Sequence, residues 1–363
     1  MISVWRGALF LRLNVAGQVR CLNTMQAAEQ SVVLEDVRQT AKRIFDLVSP
    51  ELDLVEEEFE RQARSNIQVI AYIGEYLRRS GGKRVRPALT ILSNYAVGGV
   101  GSNYGSIRMA TVMEFLHTAT LVHDDVIDRA ATRRNRPSIN SEFGNQTAVL
   151  MGDWLYMSAF ETSLAERSLA ILDILTAVTR KMTEGELLQL TLIGRTDISE
   201  EQYFDVIARK TAYLFSACCE IGALLGKANP VMQNMLRDYG MNLGIAFQLV
   251  DDLLDFTSTE DVLGKPAGAD LLEGKVSLPL IFLLQREPEL RSVIQNVISE
   301  ARYESTSRAQ LLTALERTGA LQLALDRAIE YATAAQTALD RLPDSPYAQV
   351  LSSIPAYIVE RDR

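Results

Sequence analysis

Two short stretches of the sequence concentrate chemistry. LVHDDVIDRA, residues 121–130, carries Asp124, Asp125 and Asp128, and LVDDLLDFTS, residues 249–258, carries Asp251, Asp252 and Asp255 at the same spacing. On a helix, positions i and i+4 lie one above the other and i+1 is turned away by about 100°. Asp124 and Asp128 therefore share a face with Asp125 beside it, and the second triad repeats the arrangement. Three carboxylates this close repel one another, and apolar neighbours raise the cost of ionising them. One such cluster reads as a solvated helix end paired with arginines. Two identical clusters, each emerging from an apolar stripe, point to a bound cation. The ligands are hard oxygens without sulfur or imidazole. That chemistry selects Mg²⁺, an ion that keeps several waters and shares its coordination with substrate phosphates.

A magnesium-diphosphate substrate also requires cations on the protein. GGKRVRPAL (81–89) presents Lys83, Arg84 and Arg86 after a glycine pair whose backbone can approach an anion closely. TRRNRP (132–137) adds Arg133 and Arg134, RKTAYLF (209–215) offers Lys210 and Thr211, and GKPAGADLLEGK (264–275) offers Lys265 and Lys275. Each segment alone is an ordinary wetted basic cluster. Along the chain they alternate with the acidic motifs.

The elements that must position these groups read as helices. Apolar residues at 109, 112, 113, 116, 119 and 120 follow a 3.6-residue stripe leading into the first motif, and 166–193, 201–226 and 231–256 read the same way. No period-2 segment of strand length stands out. Breaks fall at Gly81-Gly82, 97–105, near Gly144, 193–199, 228–230, 257–269 and 342–346, and these look like helix connections, not domain linkers. The expectation is one large all-α domain of about a dozen helices over residues 31–363, after an N-terminal extension of residues 1–30.

Bulk properties narrow the function. With 47% hydrophobic and 23% charged residues, the chain has the composition of a folded globular protein. A net charge of −9 argues against a nucleic-acid partner. Cys21, Cys218 and Cys219 cannot form a disulfide framework, which favours a reducing, cytoplasmic setting. No Cys/His spacing suits zinc, and two histidines, His117 and His123, make no imidazole cage. No apolar run reaches the roughly 18–20 residues of a membrane span. The first 28 residues hold three arginines and no acid. They read either as a mitochondrial presequence or as an upstream start with Met25 the true initiator.

The two aspartate motifs together with GGKRVRP, EFLHTATLVHDDVID, TEGELLQL, RKTAYLF, GIAFQLVDDLLDF and GKPAGADLLEGKVSLPLI resemble the trans-polyprenyl diphosphate synthases of the long-chain type, over residues 45–363. The resemblance implies an all-α isoprenoid synthase type I fold with a central active-site cavity, usually as a homodimer. It implies condensation of isopentenyl diphosphate with an allylic diphosphate into a long all-trans product. Asp124, Asp125, Asp128, Asp251 and Asp252 would bind three Mg²⁺, with Asp255 completing the second motif through water. Arg133, Lys210, Thr211 and Lys265 would grip the allylic diphosphate, and Gln248 would line that site. Lys83, Arg86, His117 and Arg134 would hold isopentenyl diphosphate. His117 lies seven residues before Asp124, hence on its face; a lone histidine there is otherwise a core residue. Metal ions and cations stabilise the departing diphosphate, a dry pocket protects the allylic cation from water, and the homoallylic double bond attacks. No nucleophilic side chain is required. His123 reads as structural, and Cys218 and Cys219 as packing residues.

Two positions depart from the family pattern. Arg129 replaces an acidic residue and Asn135 replaces a glycine. Product length is read from the helix before Asp124. Thr120 and Ala119 are small where short-chain relatives place an aromatic, so the tail would pass Ala119 and Thr120. Leu116 or Met113 and a facing helix around 166–178 would form the floor. At about 5.4 Å per turn, this predicts products of roughly C30–C50. The alternatives are a shorter-chain synthase, a class I terpene cyclase, or a non-catalytic partner subunit. The cyclase is disfavoured by DDLLD and GGKRVRP, and the partner subunit by retention of both aspartate motifs.

Overall fold

The structure, a computed structural model, describes residues 45–79, 84–99, 104–133, 136–258 and 268–360. Helices α1 (Ser49–Gln62), α2 (Gln68–Arg79), α3 (Val85–Ala96) and α4 (Tyr104–Ile127) come first. Then β1 (Thr132–Arg133) and β2 (Arg136–Pro137) pair as a small antiparallel ribbon. Helices α5 (Ile139–Phe143), α6 (Asn145–Ser163), α7 (Leu169–Leu192) and α8 (Glu200–Ile207) follow. A π-helical turn, Ala208–Ala212, runs from α8 directly into α9 (Tyr213–Leu225). The last elements are α10 (Pro230–Thr257), α11 (Ala269–Leu272), α12 (Leu278–Arg286), α13 (Arg291–Glu300), α14 (Arg308–Arg317), α15 (Ala320–Ala338) and α16 (Pro346–Glu360).

The local chemistry of the breaks is legible. Ser199 and Gln202 form a reciprocal capping box that starts α8. The Asn229 side chain accepts from the Met232 amide while Pro230 fills the first turn of α10. Helix α4 ends in a Schellman motif: the Ala130 amide reaches the Asp125 carbonyl at 2.9 Å and the Arg129 amide that of Val126 at 3.4 Å, with Arg129 at φ 53°. Arg129 thus occupies a left-handed position that usually favours glycine.

The expectation of about a dozen helices is too low; the described residues hold sixteen α-helices, because the chain beyond 286 breaks again at 287–290 and 301–307. The ribbon at 132–137 was also not anticipated. Two residues per strand are too few to carry a period-2 pattern. The proposed boundary at residue 30 lies outside the described residues.

The core gathers around two long helices. Helix α4 is enclosed by α1, α3 and α6, and buries Met109, Met113, Phe115 and Leu116. Helix α10 lies against α9 and α15. Gly240 and Gly244 permit that approach: a Cβ there would stand 2.7 Å from the Ser216 Cα and 2.5 Å from the Ala212 Cα. The π-helical turn is therefore pressed against α10 one turn and more before its aspartates.

Candidate active site

The two aspartate motifs open onto one cavity of about 840 Å³. Helix α4 turns Glu114, His117, Thr120, Leu121 and Asp124 toward it, followed by Asp128. Helix α10 contributes Phe247, Gln248, Asp251 and Asp252. Arg84, Arg86, Arg133, Lys210 and Lys275 supply cations to the same wall. Among the described residues the acids and bases that alternate along the chain thus meet in space.

In the first motif Asp124 and Asp128 line the cavity and Asp125 does not. Asp125 is buried, and its Oδ1 accepts from Arg133 Nε at 2.8 Å and Nη2 at 2.7 Å. The ribbon places Arg133 there, and the Asn140 side-chain amide donates to the Asp125 carbonyl at 3.0 Å. Lys275 Nζ donates to Asp128 Oδ2 at 3.1 Å and to Glu273 Oε2 at 2.7 Å. Burial opposes the charge on Lys275, but the carboxylates of Asp128 and Glu273 outweigh it and raise its pKa. Burial lifts the Asp124 carboxyl to about 6 against the pull of Lys210, with Glu186 and Asp128 adding to the rise.

The second motif presents a different pair. Asp251 and Asp252 line the cavity, whereas Asp255 is buried beneath it. Asp252 accepts from the Tyr203 hydroxyl at 2.7 Å and from Gln248 Nε2 at 2.9 Å, and Thr211 Oγ1 donates to Gln248 Oε1 at 2.8 Å. Burial and the neighbouring Asp270 raise the Asp252 carboxyl in spite of those hydrogen bonds. Asp255 accepts from the Asp270 amide at 3.3 Å, while its own carbonyl accepts from the Gly268 amide at 2.8 Å. It ties the start of α11 to α10.

Lys210 and Thr211 sit in the π-helical turn, the kind of local widening that recurs at functional sites. Lys210 Nζ lies 2.5 Å from Glu186 Oε2 and donates to Gln189 Oε1 at 3.0 Å, both on α7. Sequence reasoning gave Glu186, Gln189, Tyr203 and Asp270 no role. TEGELLQL holds a usable signal, since Glu186 and Gln189 are i and i+3 on one helix face; Tyr203 has none.

Arg86 reaches the cavity with its guanidinium 4.9 Å over the Phe215 ring, and His117 lines the cavity as expected from its phase with Asp124. Lys83, Arg134, Asn135 and Lys265 lie outside the described residues. His123 turns instead toward α6, where Nε2 is 3.0 Å from the Val149 carbonyl. Cys218 and Cys219 are buried, and burial pushes the Cys218 thiol up to about 12.

The expected length-setting residues divide between the cavity and the core. Thr120 lines the cavity, but Ala119, Leu116 and Met113 are buried in the core and do not. Ala119 and Leu116 fall on the stripe of α4 that continues to His123 on the side of α6, whereas Met113 lies four residues before His117 on the face of Asp124, deeper in the core. The helix facing that stripe is α6; α7, expected to supply the floor, packs chiefly on α9 and the π-helical turn. The short connection through α5 folds α6 straight back along α4 and fills that place.

An all-helical shell that brings two aspartate triads and several cationic side chains to one cavity has the isoprenoid synthase fold. The chain belongs to the polyprenyl synthetase family, whose model, Polyprenyl synthetase, matches residues 67–315. It is 38% identical to the octaprenyl diphosphate synthase of Escherichia coli K12, over 89% of this chain and 99% of that enzyme. The structure is similar to a polyprenyl synthase from Caulobacter crescentus CB15 solved with calcium and isoprenyl diphosphate, with TM-score 0.84 and 34% identity over 89% of this chain and 98% of that one. A decaprenyl diphosphate synthase from Rhodobacter capsulatus gives TM-score 0.83 and 34% identity over 89% and 99%. The protein is a prenyltransferase that elongates trans-prenyl diphosphates to long chains. Isoprenyl diphosphates are its substrates, and a divalent metal belongs to its chemistry. No helix among the described residues is long and apolar enough to cross a membrane.

Proposed function

We propose that the chain joins isopentenyl diphosphate to an allylic diphosphate with three Mg²⁺ ions, releasing long-chain products of roughly C30–C50, a range that spans those of the octaprenyl and decaprenyl diphosphate synthases it resembles. The observation that carries this reading is the shared cavity, where Asp124, Asp128, Asp251 and Asp252 face Lys210, Arg133 and Arg86. The donor set fits Mg²⁺. Among the described residues no three carboxylate, imidazole or thiolate side chains converge into a closed metal cage. An ion that keeps waters and takes further ligands from a diphosphate needs none. Mg²⁺, when bound, supplies positive charge for the leaving diphosphate.

The chain's own residues do the rest. Asp124, Asp128 and Asp251 would hold the metal directly, and Asp252 and Asp255 would act on it through water. Asp125 supports Arg133, which with Lys210, Thr211 and Lys265 grips the allylic diphosphate. Glu186 and Gln189 aim the Lys210 ammonium into the cavity, and Thr211 fixes Gln248 beside the reacting carbons. Lys83, Arg86, His117 and Arg134 hold isopentenyl diphosphate. Leu121, Leu192, Val206 and Ile207 give the cavity apolar wall that excludes water from the allylic cation. No side chain is required as base, because the departing diphosphate can take the proton.

Two further readings belong to this proposal. Val149, Leu150 and Met157 project from α6 with Leu150 at 68% and Met157 at 62% exposure; such an apolar face supports a homodimer through α6. The length of the product is set where Thr120 borders the cavity. Incubation with labelled isopentenyl diphosphate, farnesyl diphosphate and Mg²⁺ tests the whole reading. Elongated products that vanish in excess chelator are expected, and full turnover in chelator would refute it. Thr120→Phe should stay active and shift the products toward C15–C20 on chromatography. An unchanged product ladder would move the tail's path elsewhere.

A further inference from the structure

Arg84 and Arg86 stand two residues apart in one basic segment, yet their surroundings differ. Arg84 precedes α3 with φ 47°, in the left-handed region that a non-glycine residue rarely adopts. Its side chain, 14% exposed, joins two carboxylates from different helices. Nη1 donates to Glu114 Oε1 on α4 at 2.6 Å. Nε and Nη2 both donate to Glu56 on α1, the latter at 3.1 Å. All three guanidinium nitrogens therefore point at protein carboxylates. Arg86 instead lies over Phe215 at the cavity wall.

Glu114 makes this arrangement consequential. Its side chain is 7% exposed, it borders the cavity, and it lies three residues before His117 on the same helix. A bare carboxylate there would repel a diphosphate held by Arg86 and His117, and like charges brought together in a binding site are costly. We propose that Arg84 is a positioning residue for the isopentenyl diphosphate subsite. It neutralises Glu114 and fastens the basic segment to α1 and α4, without touching substrate itself. This rests on the reading of Arg86 and His117 given above.

The test is steady-state kinetics in each substrate, with thermal melting of every variant. Arg84→Met removes the charge and keeps the length of the side chain. It should raise KM for isopentenyl diphosphate about tenfold or more while KM for the allylic substrate and kcat stay within about twofold, since one subsite is affected by the repulsion. Adding Glu114→Gln to Arg84→Met should restore most of the lost affinity. Arg84→Lys, which keeps the charge and loses the fork, should fall between wild type and Arg84→Met. A purely structural role would lower the melting temperature and kcat and would gain nothing from Glu114→Gln; that pattern overturns the proposal. Arg86→Ala separates the two levels. If it leaves KM for isopentenyl diphosphate unchanged, the subsite reading fails. If it raises that KM and Arg84→Met does not, the subsite stands and the role given to Arg84 is wrong.

Discussion

The two aspartate motifs have identical spacing and opposite use. In the first, the i and i+4 carboxylates, Asp124 and Asp128, face the cavity and the middle one pairs with Arg133. In the second, the adjacent carboxylates, Asp251 and Asp252, face the cavity and the i+4 one holds the start of α11. The difference follows from where each helix stops. The first motif lies on the last turn of α4, and Asp128 is already past Ile127, where the Schellman turn at Arg129 bends the chain toward Lys275. The second lies within α10, which continues to Thr257. Asp255 shares the face of Asp251 one turn further on, but there the start of α11 folds over it and buries it. A spacing in sequence thus sets which residues lie near one another, and the helix terminus decides which of them meet the substrate.

The sharpest break of this comparison comes from the cavity-facing members. Asp124→Asn and Asp251→Asn should each lower kcat by about 10²-fold or more, as expected when charge that stabilises a leaving group is removed. Comparable losses in Asp125→Asn and Asp255→Asn would erase the distinction between the two kinds of position.

The inward-facing members should then differ from each other. Asp125→Asn leaves Arg133 without its carboxylate and should raise KM for the allylic substrate about tenfold, the usual scale for loss of a supporting charged hydrogen bond. Asp255→Asn weakens the anchor of α11 and should act mainly on stability, lowering Tm by about 1–2 °C, as about 1 kcal/mol does in a chain of this size. Melting curves beside two-substrate kinetics distinguish the two. A selective allylic KM effect in Asp255→Asn would contradict its assignment to the fold.

The smallest expected effect is in the pH dependence. In chelator, folding raises the Asp124 carboxyl to about 6, above its unfolded value near 4. The folded chain then binds more protons than the unfolded chain between those values, so this group's contribution to stability is lost as pH rises through about 6. The metal-free Asp124→Asn variant should therefore gain in Tm relative to wild type between pH 5 and pH 7. Added Mg²⁺ should reverse the order at pH 7. A gap that does not change with pH would mean that Asp124 is not desolvated in solution.

The repeated spacing made the motif helices, their shared faces and the alternation of acid and base legible in the sequence. Residue types singled out Lys210, Thr211 and Arg86, and the family resemblance added His117 and Gln248. What stayed hidden depends on backbone phase. The π-helical turn at 208–212 is one widened turn inside an unbroken apolar stripe, so nothing in residues 201–226 marks it. Ala119 and Thr120 are equally small, and only the rotation of α4 against α6 decides that Thr120 meets the cavity. The hydroxyl of Tyr203 bonds to an aspartate 49 positions away, a relation no local pattern encodes.

Helix α16 packs on α3, and its Ile354, Tyr357 and Ile358 share the cavity wall with Ala88 and Leu89. The Tyr239 hydroxyl donates to the Leu351 carbonyl at 2.7 Å and fastens the arrangement. One wall of the reaction chamber is therefore completed by a helix that leaves the ribosome well after Ala88 and Leu89 have emerged. At about 5–20 residues per second, the interval between the emergence of Leu89 and that of Tyr357 is on the order of 10–50 s. During that interval the apolar lining of a nascent chain stands open to the cell, and its protection falls to whatever meets the polypeptide at the exit port.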